Sequence, residues 1–404
     1  MTDQDPILRY SDSGVNYDLM DPFKIACQKA ALSTSQNMNR FSKFGLEVHE
    51  ITSSRGESAF EIEFNVRSAT EAFLPQYRTF RIAHVEEGLG TKNEIADQMR
   101  QLQEKFHLAD DVKNIFGKSF YKGPAIDNAA MILNDLSTVG ASPISFLLHV
   151  AAESSQWFTD EEKTEDLIAG TVEACNQARC NWGGGESPTL RDIINPGHCL
   201  LSGSAIGLEF PRQHGNLTAN EIKEGNRIIL LGSSGPHANG ITLLRKGLLE
   251  RLPHGYETTL PDGQTYGEAV LTPTVIYAKL IDTLLDEPDV FINYALHISG
   301  HGWRKLMRAQ RELTYVIDKI PTPQPIFQLV QEASGMTNEQ IYGDYNMGAG
   351  FALFVPSKSV DKILTIGKKM SIKVLDAGYV EAGPRRVVIN PLGVEFKGDS
   401  LQIR

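Results

Sequence analysis

The sequence predicts an α/β (α+β) protein of two domains. Helix-like and strand-like segments alternate from residue 60 to the end of the chain, which is the pattern of layered α/β domains. At 404 residues, of which 41% are hydrophobic, the chain is long enough to bury two cores. A polar stretch over residues 211–225 separates two such alternating regions. We therefore predict domains over residues 1–217 and 218–404.

The composition argues against several functional classes. A net charge of −11 disfavours extended contact with nucleic acid, although a local site for an anionic small molecule remains compatible with it. The four cysteines, Cys27, Cys175, Cys180 and Cys199, match no zinc-binding spacing. The first residues carry no secretory pattern, and no apolar run is long enough to span a bilayer. We expect a cytoplasmic protein without a membrane partner.

Local patterns place the elements of the first domain. Residues up to about 39 are expected to be loosely structured, and Phe60–Asn65 alternates as a half-buried strand does. Thr159 and Glu162 have the spacing of a capping box for a helix that ends at Gln177. Further strands are predicted over Tyr77–Val85, Ile144–Val150 and Leu200–Phe210, and a further helix from Asn93.

The segment from Pro124 to Val150 is the centre of the first domain. Its helical part carries Asp127 and the pair Asn134-Asp135, and the two carboxylates, eight positions apart, lie near one helix face. The residues between them are almost all apolar, so a cationic partner is expected, and a hard cation with a phosphate is the usual one. The alternative is that Asn134 and Asp135 lie in an exposed last turn and face water.

Three glycine-containing loops are candidates for contact with an anion. Glu87-Gly88-Leu89-Gly90-Thr91-Lys92 joins a strand to a helix, where glycine lets phosphate approach the backbone and the helix N-terminus and lysine supply positive charge. Gly183-Gly184-Gly185-Glu186 adds a further carboxylate. Ser233 to Gly240 follows a buried strand, and His237 within it is either a phosphate or proton-transfer contact or a capping residue. An ordinary turn is the alternative for the first two loops.

The second domain continues the alternation. Strands are predicted over Asn226–Leu231, Ile292–Ile298, Glu312–Ile320 and from Asn346 to Val355, with two more strands at the end of the chain. Helices are predicted over Ile241–Arg251, Thr274–Leu285, Pro325–Glu332 and Ser359–Lys369, with another after Gly302.

The order of these motifs resembles the aminoimidazole ribonucleotide synthetase family, the phosphoribosylformylglycinamidine cyclo-ligases. The family's Asp-Gly-Val-Gly-Thr-Lys is similar to residues 87–92, and its Gly-Ile-Asp…Val-Asn-Asp…Gly-Ala-x-Pro run is similar to residues 125–143. Its Gly-Gly-Glu, Ser-Ser-Gly-Pro-His-Ser-Asn-Gly, Leu-Thr-Pro-Thr and Asn-Met-Gly-x-Gly motifs resemble residues 184–186, 233–240, 271–274 and 346–350.

The resemblance implies a PurM-like fold whose N-terminal mixed sheets pair into a barrel in a homodimer. It implies an ATP-dependent ligase that converts formylglycinamidine ribonucleotide, a phosphoribosyl substrate, to aminoimidazole ribonucleotide in purine biosynthesis. ATP and Mg²⁺ are the implied cofactors. Catalysis is assigned to Lys92, Asp135 and His237, and metal binding to Glu87, Asp127 and Asp135. Nucleotide binding is assigned to Glu87, Gly88, Gly90, Thr91, Lys92, Asp127, Asn134, Gly184, Gly185, Glu186, Ser234 and Gly235.

The chain departs from the family pattern at three places. Glu87 replaces an aspartate, and Ser187–Leu190 replaces Thr-Ala-Glu-Met. His301 replaces the middle glycine of the family's Gly-Gly-Gly run. Two alternatives therefore stay open. One is an ATP-dependent enzyme of the same superfamily with another substrate, and the other is a dimer that binds a structural nucleotide without turning it over.

Overall fold

The computed structural model describes residues 17–50, 62–66, 81–106, 115–210, 217, 219–309 and 311–401. Within these ranges the chain forms two main sheets and one separate pair of antiparallel strands, β1 (Leu46–Glu50) and β2 (Ile62–Val66). None of the described helices combines the length and the apolar character that crossing a bilayer requires.

The first main sheet has four strands and is mixed. Its order is β3-β6-β4-β5, in which β4 and β5 are parallel and the other neighbours are antiparallel. The strands are β3 (Arg81–Gly88), β4 (Ser142–Ala152), β5 (Asn181–Glu186) and β6 (Cys199–Glu209). The helices of this region are α1 (Tyr17–Leu32), α2 (Lys92–Phe106), α3 (Lys122–Thr138) and α4 (Glu161–Ala178).

The second main sheet has seven strands in the order β13-β12-β9-β11-β7-β10-β8. Only β12 and β9 are parallel neighbours within it. Its strands are β7 (Arg227–Gly232), β8 (Tyr294–His297), β9 (Leu313–Ile317), β10 (Ala349–Val355), β11 (Val374–Ala382), β12 (Arg386–Ile389) and β13 (Val394–Lys397). Its helices are α5 (Tyr266–Leu271), α6 (Ala278–Asp286), α7 (Pro325–Ser334), α8 (Asn338–Asp344) and α9 (Val360–Lys369).

These sheets confirm the predicted α/β (α+β) class. One sheet is built from residues 81–209 and the other from residues 227–397, so the boundary predicted after residue 217 falls between them. The expectation of loose structure up to residue 39 was wrong from Tyr17 onward, because α1 is a four-turn helix. Its Phe23 is buried and lies 5.1 Å from the ring of Phe158. Packing against the rest of the domain, rather than a strong local pattern, stabilises this helix.

Several predicted boundaries also change. The N-cap of α4 is Asp160, whose side chain accepts the Lys163 N–H, and not Thr159. The helix predicted over Ile241–Arg251 contains a π-helical turn and then a 3₁₀ turn. The segment after Gly302 is a 3₁₀ helix, Gly302–Met307. Helices α5 and α8 were not predicted. Residues 60–61 and 77–80 of two predicted strands lie outside the described residues.

Helix α3 lies between the two sheets and is their shared core element. It contacts β3, β4 and β6 of the first sheet and β8 at the edge of the second. Nearly all of its residues are buried, including the polar side chains of Asp127, Asn128 and Asn134. The polar groups of this helix must therefore find partners in the protein, and most of those partners come from the second sheet's domain.

Candidate active site

Asp135 and His297 form a hydrogen-bonded pair across the two domains. Asp135 lies in the last turn of α3, and His297 is the last residue of β8. The Asp135 Oδ1 to His297 Nδ1 distance is 2.8 Å, and the side chains are 29% and 1% exposed. An ionised carboxylate can only accept, so His297 Nδ1 carries the hydrogen of this bond. No described residue bonds to the buried Nε2 of His297.

The electrostatic field around Asp135 favours its ionised form. Burial alone would raise the pKa of Asp135, but the hydrogen bond and charge of His297, with the charges of Lys305 and Arg308, hold it below its usual value. Asp135 is therefore a carboxylate at neutral pH. Its side chain keeps some contact with solvent, which makes it available to a ligand.

Glu87 approaches this pair from β3. Alternation along β3 places Val85 and Glu87 on the face that packs towards the core, and Glu86 on the other face. Burial and then the charge of Asp135 raise the pKa of Glu87, while the charges of Lys305 and His297 lower it. Glu87 and Asp135 thus act electrostatically on one another, and a nearby cation favours the ionised form of each.

Asp127 is not part of this cluster, because it belongs to a buried ion pair. Lys92 Nζ lies 2.7 Å from Asp127 Oδ2, and both side chains are 0% exposed. Lys92 also donates to the carbonyls of His237 and Thr272. The other oxygen of Asp127 accepts the N–H of Thr274 at 2.8 Å and its hydroxyl. Burial lowers the pKa of Lys92, and Asp127 opposes that shift.

Asn134 completes the connection between the domains. It lies two helical turns beyond Asp127 on α3. Its amide donates to the Val275 carbonyl and its oxygen accepts the Tyr277 N–H, both at 2.8 Å. Asp127 and Asn134 thus fasten α3 to residues 274–277 of the other domain. The alternative that Asn134 faces water is wrong, since it is 0% exposed.

The structure accordingly does not assemble the predicted metal trio. Across the described residues, no three His, Cys, Asp or Glu side chains are grouped so that they could hold a metal ion. Asp127 is occupied by Lys92 and Thr274, and Lys92 by Asp127 and two carbonyls. The direct contact predicted between Lys92 and ATP would require this buried pair to separate. Glu87 and Asp135 remain as the two carboxylates that share one region.

The loop before α2 keeps its predicted glycine geometry. Gly88 and Gly90 are exposed, and Gly90 has a positive φ of 85°, which favours glycine. A Cβ on either residue would meet nothing within 4 Å, so the backbone here is open on one side. The Thr91 hydroxyl lies 3.5 Å from that of Thr242 in the other domain. A ligand could approach this backbone, and the nucleotide contact of Gly88, Gly90 and Thr91 stays a prediction.

The triple glycine has a packing reason. Residues Gly183 to Glu186 form the end of β5, and a Cβ on Gly185 would lie 1.7 Å from the Leu148 carbonyl oxygen on β4. Only glycine allows this approach of the two strands. Glu186 is exposed, and its carboxylate accepts the Ser187 N–H. Because β6 and β4 separate β5 from β3, nothing brings Gly184, Gly185 or Glu186 to Glu87.

The loop from Ser233 to Gly240 is joined to its neighbours by hydrogen bonds. Ser233 Oγ bonds to Asn346 Oδ1, the Asn346 amide donates to the Gly235 carbonyl, and Ser234 Oγ donates to the Pro273 carbonyl. These bonds hold together three segments that are distant in sequence. They engage the hydroxyls of Ser233 and Ser234, so the predicted nucleotide contact of Ser234 and Gly235 would use backbone groups.

His237 is buried inside this loop. It is 1% exposed, and its Nε2 accepts the Ser234 N–H at 3.2 Å. A Cβ on Gly350 would lie 2.5 Å from His237 Cε1, so the ring packs directly on β10. Burial, with the charges of His297 and Lys92, holds the pKa of His237 well below its usual value. His237 is thus neutral and structural in this arrangement, and its proton transfer to a substrate remains a prediction that its burial disfavours.

The low pKa of His237 predicts a loss of stability in acid. Below pH 6.5 the unfolded chain gains a proton at this residue that the folded chain excludes, so stability falls as pH falls towards the depressed folded pKa. We expect a loss of up to about 2 kcal/mol in the free energy of unfolding between pH 7 and 5. Urea titration of the wild type and His237→Asn measures it. The variant should lack this contribution, and asparagine tolerates the positive φ of 61° at this position.

The exposed His254 provides the control for that measurement. His254→Asn should keep the wild-type dependence on pH. Equal slopes for the wild type and His237→Asn would contradict the assignment of His237 as a buried neutral group.

A separate cleft lies between the domains. Its volume is about 890 Å³, and it is lined by apolar residues of α3, α6 and α9 together with Lys122, Lys279, Lys369, Glu173 and Glu287. None of the predicted site residues lines it. The chemistry-bearing cluster of Glu87, Asp135 and His297 is therefore distinct from this cleft.

Two family models match the chain. The AIR synthase related protein, N-terminal domain, matches residues 95–208, and the AIR synthase related protein, C-terminal domain, matches residues 223–390. The matched ranges contain α3 with Asp135 and β8 with His297.

Curated relatives give the same result. The chain is 32% identical over 255 residues to the phosphoribosylformylglycinamidine cyclo-ligase of Methanocaldococcus jannaschii, covering 63% of this chain and 71% of the relative. It is 30% identical over 314 residues to the protein of the same name from Fusobacterium nucleatum, covering 77% of this chain and 84% of the relative.

Solved structures share the fold. The hydrogenase maturation protein HypE in complex with ATP superposes with a TM-score of 0.54 at 15% identity, covering 80% of this chain and 86% of that one. Thiamine-monophosphate kinase from Stenotrophomonas maltophilia superposes with a TM-score of 0.51 at 16% identity, covering 79% and 88%. At these identities the likeness extends to the fold alone.

Proposed function

The chain belongs to the AIR synthase related protein family, and from this premise we propose that it is an ATP-dependent cyclo-ligase of purine biosynthesis. It closes the ring of formylglycinamidine ribonucleotide to give aminoimidazole ribonucleotide, ADP and phosphate. The observation that carries the proposal is the hydrogen bond between Asp135 and His297, which joins the two matched domains, with Glu87 acting electrostatically on Asp135 from β3. The reaction takes place in the cytoplasm.

The residues at this junction fit a magnesium ion. Mg²⁺ usually binds through one or two carboxylates and completes its shell with water and substrate phosphates. Glu87 and Asp135 supply two carboxylates, and burial together with the charge of Asp135 raises the pKa of Glu87, a shift that a bound cation would oppose. These two residues would hold the metal, without Asp127. When bound, Mg²⁺ supplies charge neutralisation to the phosphates of ATP.

The chain's own residues orient the reacting groups. The amide oxygen of the substrate takes the terminal phosphoryl group of ATP, and ADP leaves. The amidine nitrogen then attacks the activated carbon, the nitrogen loses a proton, and that proton leaves with the released phosphate. His297, whose Nε2 is buried, orients Asp135 through the hydrogen bond at its Nδ1. Gly88 and Gly90 leave the backbone open to the triphosphate.

One assay tests the proposal. The purified protein is incubated with formylglycinamidine ribonucleotide, ATP and Mg²⁺, and aminoimidazole ribonucleotide and ADP are quantified. We expect equal amounts of both products. ADP without ring closure would assign the chain to another substrate, and no metal-dependent ADP at all would leave only a structural role for the nucleotide.

A homodimer is part of the proposal. Exposed apolar side chains lie on three strands of the first sheet: Ile82 on β3 is 65% exposed, Leu200 on β6 is 45% exposed and Leu147 on β4 is 38% exposed. A second copy pairing its sheet here would cover them. Sedimentation equilibrium should give twice the 44.6 kDa of one chain. A monomer at micromolar concentration would contradict this assembly.

A further inference from the structure

Lys305 is a half-buried cation beside the acidic pair, and sequence reasoning assigned it no role. It lies in the 3₁₀ helix Gly302–Met307, directly after the loop that leaves β8. Its ammonium donates to Ser299 Oγ and, at 3.4 Å, to the His297 carbonyl. These two bonds hold the end of the side chain next to His297.

The charge of Lys305 is not neutralised by direct contact. Asp135 and Glu87 act on it electrostatically, but no carboxylate of the described residues lies within ion-pair distance of its ammonium. Burial lowers the pKa of Lys305, the charges of Asp135 and Glu87 oppose that shift, and the charge of Arg308 adds to it. An ammonium has three hydrogens, and the two bonds to Ser299 and His297 leave one of them for another acceptor.

A second cation extends the positive region. Arg308 lies one turn further along, is half-buried, and acts on both Asp135 and Lys305. Its guanidinium forms no hydrogen bond or ion pair with the described part of the chain. Neither cation forms an ion pair among the described residues, although Lys305 donates to Ser299 Oγ and to the His297 carbonyl, and both cations act electrostatically on Asp135. A phosphate anion beside them would supply the remaining acceptor.

We propose that Lys305 donates a hydrogen bond to a phosphate oxygen of the ligand bound at Asp135 and Glu87, with Arg308 adding its charge. This deepens the proposed function and rests on it for the presence of a phosphate at this site. The phosphate comes either from the terminal group of ATP or from the 5′-phosphate of the phosphoribosyl substrate. Both sources present the same tetrahedral anion to Lys305. The experiment is therefore designed to distinguish the two sources.

The test compares Lys305→Met and Lys305→Arg with the wild type. Calorimetry measures the binding of the β,γ-imido analogue of ATP and of ADP, both with Mg²⁺, and steady-state kinetics give KM for formylglycinamidine ribonucleotide. A charge-assisted bond to phosphate predicts a loss of about 10-fold or more for Lys305→Met and a smaller one for Lys305→Arg. Lys319→Met, which removes an exposed lysine from the same domain, is the matched control and should bind as the wild type does.

The pattern of the loss identifies the phosphate. Weaker binding of the imido analogue with unchanged ADP binding assigns Lys305 to the terminal phosphate. An increased KM for the ribonucleotide with unchanged analogue binding assigns it to the 5′-phosphate. Unchanged values for all three ligands overturn the proposal, and so does an equal loss for all three with a lower melting temperature, which would indicate a purely structural lysine.

The binding measurements separate this inference from the proposed reaction. If the wild type forms no aminoimidazole ribonucleotide but its analogue binding depends on Lys305, the cyclo-ligase proposal fails and the phosphate contact stands. If the wild type forms the product and Lys305→Met matches it in every measurement, the cyclo-ligase proposal stands and the phosphate contact fails.

Discussion

Replacing Asp135 by asparagine should reduce ATP-dependent turnover by about 10²- to 10³-fold, the scale expected when one electrostatic group at a reacting centre is removed. The substitution removes the negative charge that His297 and the proposed magnesium ion both require. It keeps an oxygen that can accept the His297 Nδ1–H, so the fold should be retained. Product formation at saturating ATP measures the effect.

Two glutamate variants sharpen this experiment. Glu87→Gln should also lose turnover, because Glu87 and Asp135 act on one another electrostatically. Glu257→Gln is the control, since Glu257 is an exposed glutamate of the second domain. Full turnover in Asp135→Asn, or equal losses in the two glutamate variants, would contradict the assignment of the Asp135 region as the reacting centre.

Replacing Lys92 by methionine should destabilise the protein by about 3–5 kcal/mol, because it leaves the charge of Asp127 buried without its partner. The variant also removes donors to the His237 and Thr272 carbonyls, and with them a connection between the domains. The free energy of unfolding in urea measures the change.

A surface lysine on the same helix as Asp127 provides the comparison. Lys122 lies 2.9 Å from Glu173, and the two side chains are 24% and 41% exposed. Lys122→Met should cost no more than about 1 kcal/mol, as exposed ion pairs generally do.

A double variant that combines Lys92→Met with Asp127→Asn removes both charges and should be more stable than Lys92→Met alone. The amide oxygen that Asp127→Asn introduces can still accept the Thr274 N–H, so the contact between α3 and the other domain is kept. If Lys92→Met unfolds with a free energy within about 1 kcal/mol of the wild type, the pair is not the connection that its burial indicates.

Sequence patterns were sufficient for the general architecture. The alternation of helix-like and strand-like runs predicted two α/β sheets, and hydrophobic periodicity located the strands around β6, β7 and β10. The same reasoning missed α1, α5 and α8, which are stabilised by packing or by short capping motifs. Thr265 with Glu268 and Thr337 with Gln340 are such motifs, and both were present in the sequence as a signal for helix starts.

The candidate site was only half accessible to sequence reasoning. Asp135 stood out as a carboxylate in an apolar helix, and Glu87 was assigned through the family resemblance. His297 was covered only by the predicted strand Ile292–Ile298, although a histidine at the end of a buried strand before a Ser-Gly-His-Gly loop is a usable signal. Lys305 gave no signal, because a lysine in a turn is usually a surface residue.

By itself the sequence determined which side chains can carry charge, which segments are apolar and which family the motif order resembles. Only the tertiary structure decided which charges meet. Asp127 and Asp135 lie on the same helix in similar apolar surroundings, yet one is enclosed with Lys92 and the other reaches solvent beside His297. The physical reason is that a carboxylate's role depends on its burial and on its nearest partner. That partner is Lys92 of α2 for Asp127 and His297 of β8 for Asp135, and only the folded chain brings them together.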